Sequence, residues 1–282
     1  MSEPTTQVLL SVDDFFLRNE WAGDVPVVST EEIKPEQDLR VLDMFENFEV
    51  HATFFIPGII ADLFPEAVHS VTNRGFEVAA HGFRHENLSS LRENARRQLI
   101  LKSVGVLEKC ANKNVLGWRS PGLHIDNGLF RALKDTHIEW CSNVELPSGL
   151  RHVPFVFRGK TELPISSVDL KAFRGDISPD RICRKWLASL QKGNAIFTLV
   201  LHPWFQLSKP ERFSSLKLFL EKAVTLENVK FSSGSEIYER FVSQGGSVYG
   251  NILSVASNLW KHFSRMAQGP ILAAQKLLST EF

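Results

Sequence analysis

Val8-Leu9-Leu10-Ser11-Val12-Asp13-Asp14-Phe15-Phe16 is the stretch from which the architecture is read. Its first five residues are β-formers, apolar apart from Ser11, with none of the apolar–polar alternation of a half-exposed strand. A strand covered on both faces is the parallel strand of an α/β domain, and this one stops abruptly at two adjacent carboxylates. Downstream, Leu39, Leu42, Met44, Phe45 and Phe48 form the apolar stripe of a helix, with a capping-box pair Ser29 and Glu32 ahead of it and Pro35 suited to a first helical turn. Ala52-Thr53-Phe54-Phe55-Ile56 reads as a second strand, and apolar residues then recur at helical spacing from Ile59 to Val71, up to Gly75. The unit is β-α-β-α.

The alternation continues with strands expected at 76–80, near 115–118, at 138–141, 162–165 and 195–201, and helices around 90–110, 126–134 and 179–190. Strands and helices alternating from about residue 7 to 240 argue for one α/β domain, and the lack of a Gly-x-Gly-x-x-Gly after the first strand favours a barrel over an open doubly wound sheet. Residues 1–242 are assigned to this domain and 243–282 to a C-terminal extension. There Ile252, Val255, Leu259, Trp260, Phe263 and Met266 recur at helical intervals beside Lys261, His262 and Arg265, the pattern of an amphipathic helix that docks on its own domain, on a partner chain or in the plane of a membrane surface.

The 282 residues are enough for a sizeable core, and 43% hydrophobic content with 23% charged residues excludes wholesale disorder. Lys+Arg 32 against Asp+Glu 32 leaves no net positive field, so nucleic acid is not an expected partner. Cys110, Cys141 and Cys183 are odd in number and widely spaced, which suggests neither a disulfide framework nor a zinc knuckle. The start of the chain lacks a basic region followed by an apolar stretch, and a cytoplasmic location is expected.

Four short polar signatures fall where strands are expected to end. Asp13-Asp14 would suffer repulsion and desolvation unless a cation or a proton lies between the carboxylates, although a turn-capping aspartate accounts for one of them. His81-Gly82-Phe83-Arg84-His85 spaces two imidazoles so that one helical turn would aim both at a divalent ion; with nine histidines in the chain such a pair also arises by chance. Arg119-Ser120-Pro121-Gly122 offers a permanent charge to hold a carboxylate, with loop N–H groups for an oxyanion, where a surface arginine before a turn is the plainer reading. Leu201-His202-Pro203-Trp204 puts a histidine at the end of the most hydrophobic strand, as a proton donor or as a satisfied buried residue. In parallel α/β barrels catalytic groups gather at the carboxyl ends of different strands, so the four together outweigh each alone.

In this combination the chain resembles the polysaccharide deacetylase family with the NodB-homology domain, carbohydrate esterase family 4. Ser11-Val12-Asp13-Asp14 resembles its first motif, His81 to His85 its second and Arg119-Ser120-Pro121 its third, while Glu162-Leu163-Pro164 and Leu201-His202-Pro203-Trp204 resemble later blocks of its cytoplasmic and exopolysaccharide-locus branches. The resemblance implies a distorted (β/α) TIM-like barrel of about seven strands. It also implies metal-dependent removal of an N-acyl group from an amino sugar, with Asp13 as general base, Asp14, His81 and His85 as metal ligands, Arg119 orienting Asp13, His202 as general acid and the backbone N–H near Gly122 as oxyanion donor. Zinc is the first choice of ion, with cobalt, nickel or iron as alternatives. Trp204 is singled out as a ring for the sugar.

One departure is Cys141-Ser142-Asn143, where relatives tend to show Asp-Ser-Ser; the carboxylate that polarises His202 must then come from elsewhere, with Asp169 one candidate. The expected activity is a carbohydrate N-deacetylase on a nucleotide-linked or lipid-linked building block. Hydrolysis of another amide, such as an N-formyl sugar or a cyclic ureide, and a non-catalytic carbohydrate-binding role are the alternatives.

Overall fold

A computed structural model of the chain describes residues 6–22, 34–148, 150–173, 178–191 and 195–246. The opening stretch lies in β1 (Thr6–Asp13), and all eight of its residues are buried, as a strand with two covered faces requires. The others are β2 (Ala52–Ile56), β3 (Glu77–Ala80), β4 (Gly117–Trp118), β5 (Trp140–Cys141), β6 (Phe155–Phe157), β7 (Lys160–Glu162), β8 (Ser167–Val168), β9 (Ile196–Leu201) and β10 (Val229–Phe231). They form one sheet in the order β6-β7-β5-β4-β3-β2-β1-β9-β8, with β10 beside the start of β1. Neighbours are parallel except β6 and β7, joined through Arg158 and Gly159, both at positive φ as a two-residue hairpin turn demands.

The sheet curls back on itself. Leu163 N–H donates to Cys141 O at 2.7 Å and Ile165 N–H to Val144 O at 2.8 Å, after which Ser166 N–H donates to Thr198 O at 2.9 Å. The stretch from β7 to β8 thus leaves β5 and joins β9. Counting that stretch once, β1 to β5, β7–β8 and β9 are the seven staves of a distorted barrel.

Helices Leu39–Asn47, Glu93–Ala111, Pro179–Leu190 and Pro210–Ala223 cover the outside, and their apolar faces meet Leu10, Val12, Phe54, Val78, Phe197 and Leu199 in one core. Burying each large side chain contributes about 1.5–3 kcal/mol. The helical spacing over 59–75 is realised as two helices, Gly58–Leu63 and Pro65–Asn73, because Pro65 forces the preceding Phe64 out of helical geometry (φ −137°, ψ 63°). Pro35 opens a short 3-10 turn, Pro35–Asp38, instead of the helix itself. Helix Gly234–Ser243 carries a capping box made by Ser233 and Glu236. The Ser29 and Glu32 pair and the amphipathic pattern of 252–266 lie outside the described residues. Among the described residues no helix is long and apolar enough to cross a membrane.

At the amino-terminal end of the barrel, Trp140 packs edge-on against Phe55 at 5.7 Å and donates Nε1–H to Ser235 Oγ at 3.1 Å. Its ring lies against Gly117 of β4 and Gly234, leaving no room for a Cβ at either position. Gly117→Ala and Gly234→Ala should each cost about 1–3 kcal/mol by overpacking; urea denaturation would show lower midpoints, with Gly75→Ala unsuitable as a control because φ there is +79°.

Candidate metal centre and active site

β1 ends at Asp13, and the chain leaves it through two residues in the left-handed region, Asp14 (φ 58°) and Phe16 (φ 64°). Such backbone costs about 1–2 kcal/mol per residue and persists only where neighbours hold it. Leu17 N–H donates to Asp14 O at 2.9 Å, and Phe16 N–H donates to Asp38 Oδ2 at 2.8 Å. Asp38 is wholly buried and forked by Arg18, with Nη2 to Oδ1 at 2.8 Å and Nη1 to Oδ2 at 3.2 Å. Burial raises its carboxyl to about 6 even against the Arg18 charge.

β3 delivers His81, and the next four residues form a bent loop, not the helical turn expected from the spacing. Gly82 (φ 69°) and His85 (φ 57°) reverse the chain, and the Glu86 carboxylate holds the loop by accepting Phe83 N–H at 3.1 Å and Arg84 N–H at 2.5 Å. A Cβ on Gly82 would press on Pro121 at 2.7 Å, so that glycine is needed twice, for its φ and for the approach of the next motif. His81 Nδ1 lies 2.9 Å from Arg119 O; a carbonyl only accepts, so Nδ1 carries the proton and the Nε2 lone pair faces the carboxylates. Burial pushes His81 down to about 3, with His85 and Arg119 adding to it against the pull of Asp14, so the imidazole is neutral.

The consequence is a cluster. Asp14 Oδ1 stands 3.7 Å from both His81 Nε2 and His85 Nε2, and one ligand atom from each of the three residues falls within 4.8 Å of the others. With a neutral His81, the first separation is a donor-to-donor spacing and not an ion pair; bonds of ~2.1 Å in a tetrahedron give an edge of about 3.4 Å. Asp14 Oδ1 and His85 Nδ1 are buried without a hydrogen-bond partner. An orphaned carboxylate oxygen beside two imidazoles is costly unless a cation satisfies it, so these residues fit a divalent ion.

Arg119, following β4, is fully buried. Its Nη1 donates to Asp13 Oδ1 at 2.5 Å and to Ser11 Oγ at 2.9 Å, while Nε and Nη2 donate to Ser142 O and Oγ at 2.8 and 2.7 Å. Its guanidinium also lies 4.0 Å over the Phe55 ring. Ser120 N–H donates to Asn143 Oδ1 at 2.7 Å, so Ser142 and Asn143, in the stretch that departs from the family pattern, hold the Arg119 loop. Gly122 follows with φ 64°.

β9 delivers His202. Its Nδ1 is 2.8 Å from Asp169 Oδ1, its own backbone N–H donates to Asp169 Oδ2 at 2.8 Å, and Gln206 Nε2 donates to the same oxygen at 2.8 Å. Asp169 therefore supplies the carboxylate missing at Cys141, which is buried in the core. Burial alone would lower the His202 pKa, but the Asp169 charge and hydrogen bond outweigh it and raise it to about 9. Trp204 sits 5.6 Å from the His202 ring, 5% exposed.

One cavity of about 500 Å³ joins these groups: Asp13, Asp14, His81, His85, Gly122, His202 and Trp204 all line it. Of the residues given a role from the sequence, Arg119 and Asp169 do not border it: Arg119 holds Asp13 and Asp169 holds His202 from behind. Asp38 and Glu86 have no distinguishing signal in the sequence, and Ser142 and Asn143 enter it only as part of the Cys141-Ser142-Asn143 departure. Only Ser142-Asn143 carried a signal, as the residues just past a strand end.

Barrel, cavity and donor cluster define a class: α/β domains that gather their functional side chains at the carboxyl ends of parallel strands. Comparison with known proteins narrows it. Residues 8–140 match the family model described as polysaccharide deacetylase. A peptidoglycan deacetylase of Helicobacter pylori is 31% identical over 88 residues, 31% of this chain and 30% of that protein. The chain thus matches under a third of that relative's length. Among solved structures, a candidate polysaccharide deacetylase from Mycobacterium smegmatis superposes with TM-score 0.72 at 21% identity, covering 88% of this chain and 94% of that one. Puue allantoinase superposes with TM-score 0.70 at 15% identity, over 86% and 93% of the two chains. Residues 8–140 thus match a polysaccharide deacetylase domain, and the fold is shared with solved structures over most of the chain.

Because His202 holds its proton better folded than unfolded, the pair stabilises the fold fully below about pH 6.5 and loses that contribution as pH rises through about 9. Asp169→Asn removes the interaction, so the His202 proton should titrate at lower pH, and the pH-dependent loss of stability between those values should shrink. NMR titration of the imidazole Cε1–H and thermal melts across pH would read both.

Proposed function

We propose that this protein is a metal-dependent hydrolase that removes an N-acetyl group from an amino sugar. The observation that carries the reading is the convergence on one cavity of a carboxylate with its arginine, a three-residue donor cluster and a histidine with its own carboxylate. Asp14, His81 and His85 would hold the ion, and zinc suits two imidazoles with a carboxylate. When bound, the ion supplies Lewis acidity toward water and the amide oxygen.

The remaining steps belong to the chain. Arg119 ties down Asp13 Oδ1 and balances its charge, which leaves Oδ2 to take the proton of the attacking water. The backbone N–H near Gly122 lies beside the cavity where the oxyanion develops. His202, held in its protonated form by Asp169, gives a proton to the departing amine. Amide nitrogen is a poor leaving group until protonated, so a base and an acid must act on the same bond, and this reading gives those roles to Asp13 and His202, which line one cavity.

Acetate release from N-acetylglucosamine derivatives tests the reading, with N-formyl sugars alongside to separate the acyl groups. Asp13→Asn should lower kcat by about 10²–10⁴ and keep the metal, whereas His81→Ala should lose both. Elemental analysis should find one divalent ion per chain, removed by a chelator together with activity; acyl release indifferent to chelation would overturn the assignment.

A further inference from the structure

Of the sequence blocks that resemble family motifs, Glu162-Leu163-Pro164 alone gives no residue to the cavity. Glu162 ends β7 and is 1% exposed, a buried carboxyl group that the hydrolytic steps do not use. Burial pushes it up to about 7, against the pull of two backbone N–H groups and the Arg119 charge. An apolar side chain would avoid that cost, so the carboxyl is explained only by what it holds.

What it holds is the chain just past β5. Cys141, the last residue of β5, pairs with Glu162 across the ladder. Glu162 Oε1 then accepts both Asn143 N–H and Val144 N–H, the second at 2.7 Å. The next residue of the same block contributes too, because the Leu163 carbonyl accepts Ser142 Oγ at 2.8 Å. Residues 142–144 are thereby fixed from the β7 side by one carboxyl oxygen and one carbonyl.

On their other side the same residues meet the third motif. Ser142 O and Oγ accept Arg119 Nε and Nη2, and Asn143 Oδ1 accepts Ser120 N–H. Arg119 in turn holds Asp13, and Ser120 leads into the turn Pro121–Leu123 that brings Gly122 to the cavity. The carboxylate given the role of base and the loop given the role of oxyanion donor therefore share one support.

We propose that Glu162 is a positioning residue whose carboxyl oxygen sets residues 142–144 where Arg119 can hold Asp13 and where Ser120 can present the Gly122 loop. This rests on the reading of the site as an amino-sugar deacetylase and adds a residue to it. The effect falls on turnover and not on affinity, because Glu162, Ser142 and Asn143 do not border the cavity, whereas a displacement of about 1 Å in the groups they hold costs up to about 10²-fold in rate. Accepting two N–H groups needs an oxygen and not a charge, so an amide in place of the carboxyl should serve.

The metal-loaded protein and its variants test this with two readouts: acetate release from an N-acetylglucosamine derivative, and the NMR signal of the Arg119 side-chain Nε–H with its rate of exchange with water. Glu162→Met keeps the length of the side chain and removes the acceptor. It should lower kcat about 10–100-fold with KM within about two-fold of the wild type, move the Arg119 signal and speed its exchange. Glu162→Gln keeps an acceptor oxygen and should restore both readouts to near the wild-type values. Asn143→Ala cuts only the contact to Ser120, so it should lower kcat and leave the Arg119 signal in place. Unchanged kcat and signal in Glu162→Met overturn the proposal, as does a Glu162→Gln protein no better than Glu162→Met. Should Glu162→Met not fold, the other two variants decide: a displaced Arg119 signal in Glu162→Gln, or unchanged kcat in Asn143→Ala, overturns it. Wild-type protein that releases no acetate, but whose Arg119 signal answers to the substitutions as stated, keeps the positioning role and removes the deacetylase reading; release with an Arg119 signal indifferent to Glu162 does the reverse.

Discussion

A guanidinium with no access to water organises the carboxyl end of this barrel. Arg119 reaches Ser11 and Asp13 on β1, the backbone and hydroxyl of Ser142 past β5, and, through its own carbonyl, the His81 ring that leaves β3. Three other strand ends are thereby referenced to one residue, whose guanidinium sits on the Phe55 ring. Burying such a charge is unfavourable unless its donors are met, and four of the five guanidinium N–H groups have partners in these contacts. Without Arg119, the Asp13 carboxylate would be a buried anion without its counterion, a situation that costs roughly 3–5 kcal/mol.

The same device recurs at smaller scale. Asp38 with Arg18 steadies the left-handed turn after Asp14; Glu86 gathers two N–H groups in the His81–His85 loop; Asn143 takes the Ser120 N–H; Asp169 takes the ring and backbone of His202. Each of these segments brings a residue to the cavity and is held by a polar side chain that does not itself line it. Precision in the site thus comes from a layer of carboxylates and amides, not from the strands alone, whose carboxyl ends bring the loops only to the right neighbourhood.

That division explains what the sequence made legible. Long apolar strands such as 8–12 and 196–201 announce themselves by composition, and the polar residues that end them stand out against it, so Asp13, Asp14, His81, His85, Arg119 and His202 could be read along with the barrel. Partners such as Asp38 and Glu86 could not, because an acidic residue at a helix start or in a loop is ordinary until the fold shows what it faces. The i, i+4 spacing of His81 and His85 pointed to the right cluster through the wrong conformation: Gly82 at positive φ folds a loop that brings the rings 5.1 Å apart without a helix. Two-residue strands such as β4 and β5 carry too little periodicity to bound, and Pro65 divided a helical stripe whose apolar spacing runs on through it.

The stretch that leaves β5 and joins β9 has an effect beyond shape. Asp169 comes immediately after Val168, the last residue to pair with β9, so ring closure and alignment of the acid share one short length of backbone. Side chains alternate along a strand, and a one-residue slip at that seam would turn the carboxylate to the opposite face. The carboxylate that raises the His202 pKa therefore sits on the same short length of backbone that joins the sheet's two ends.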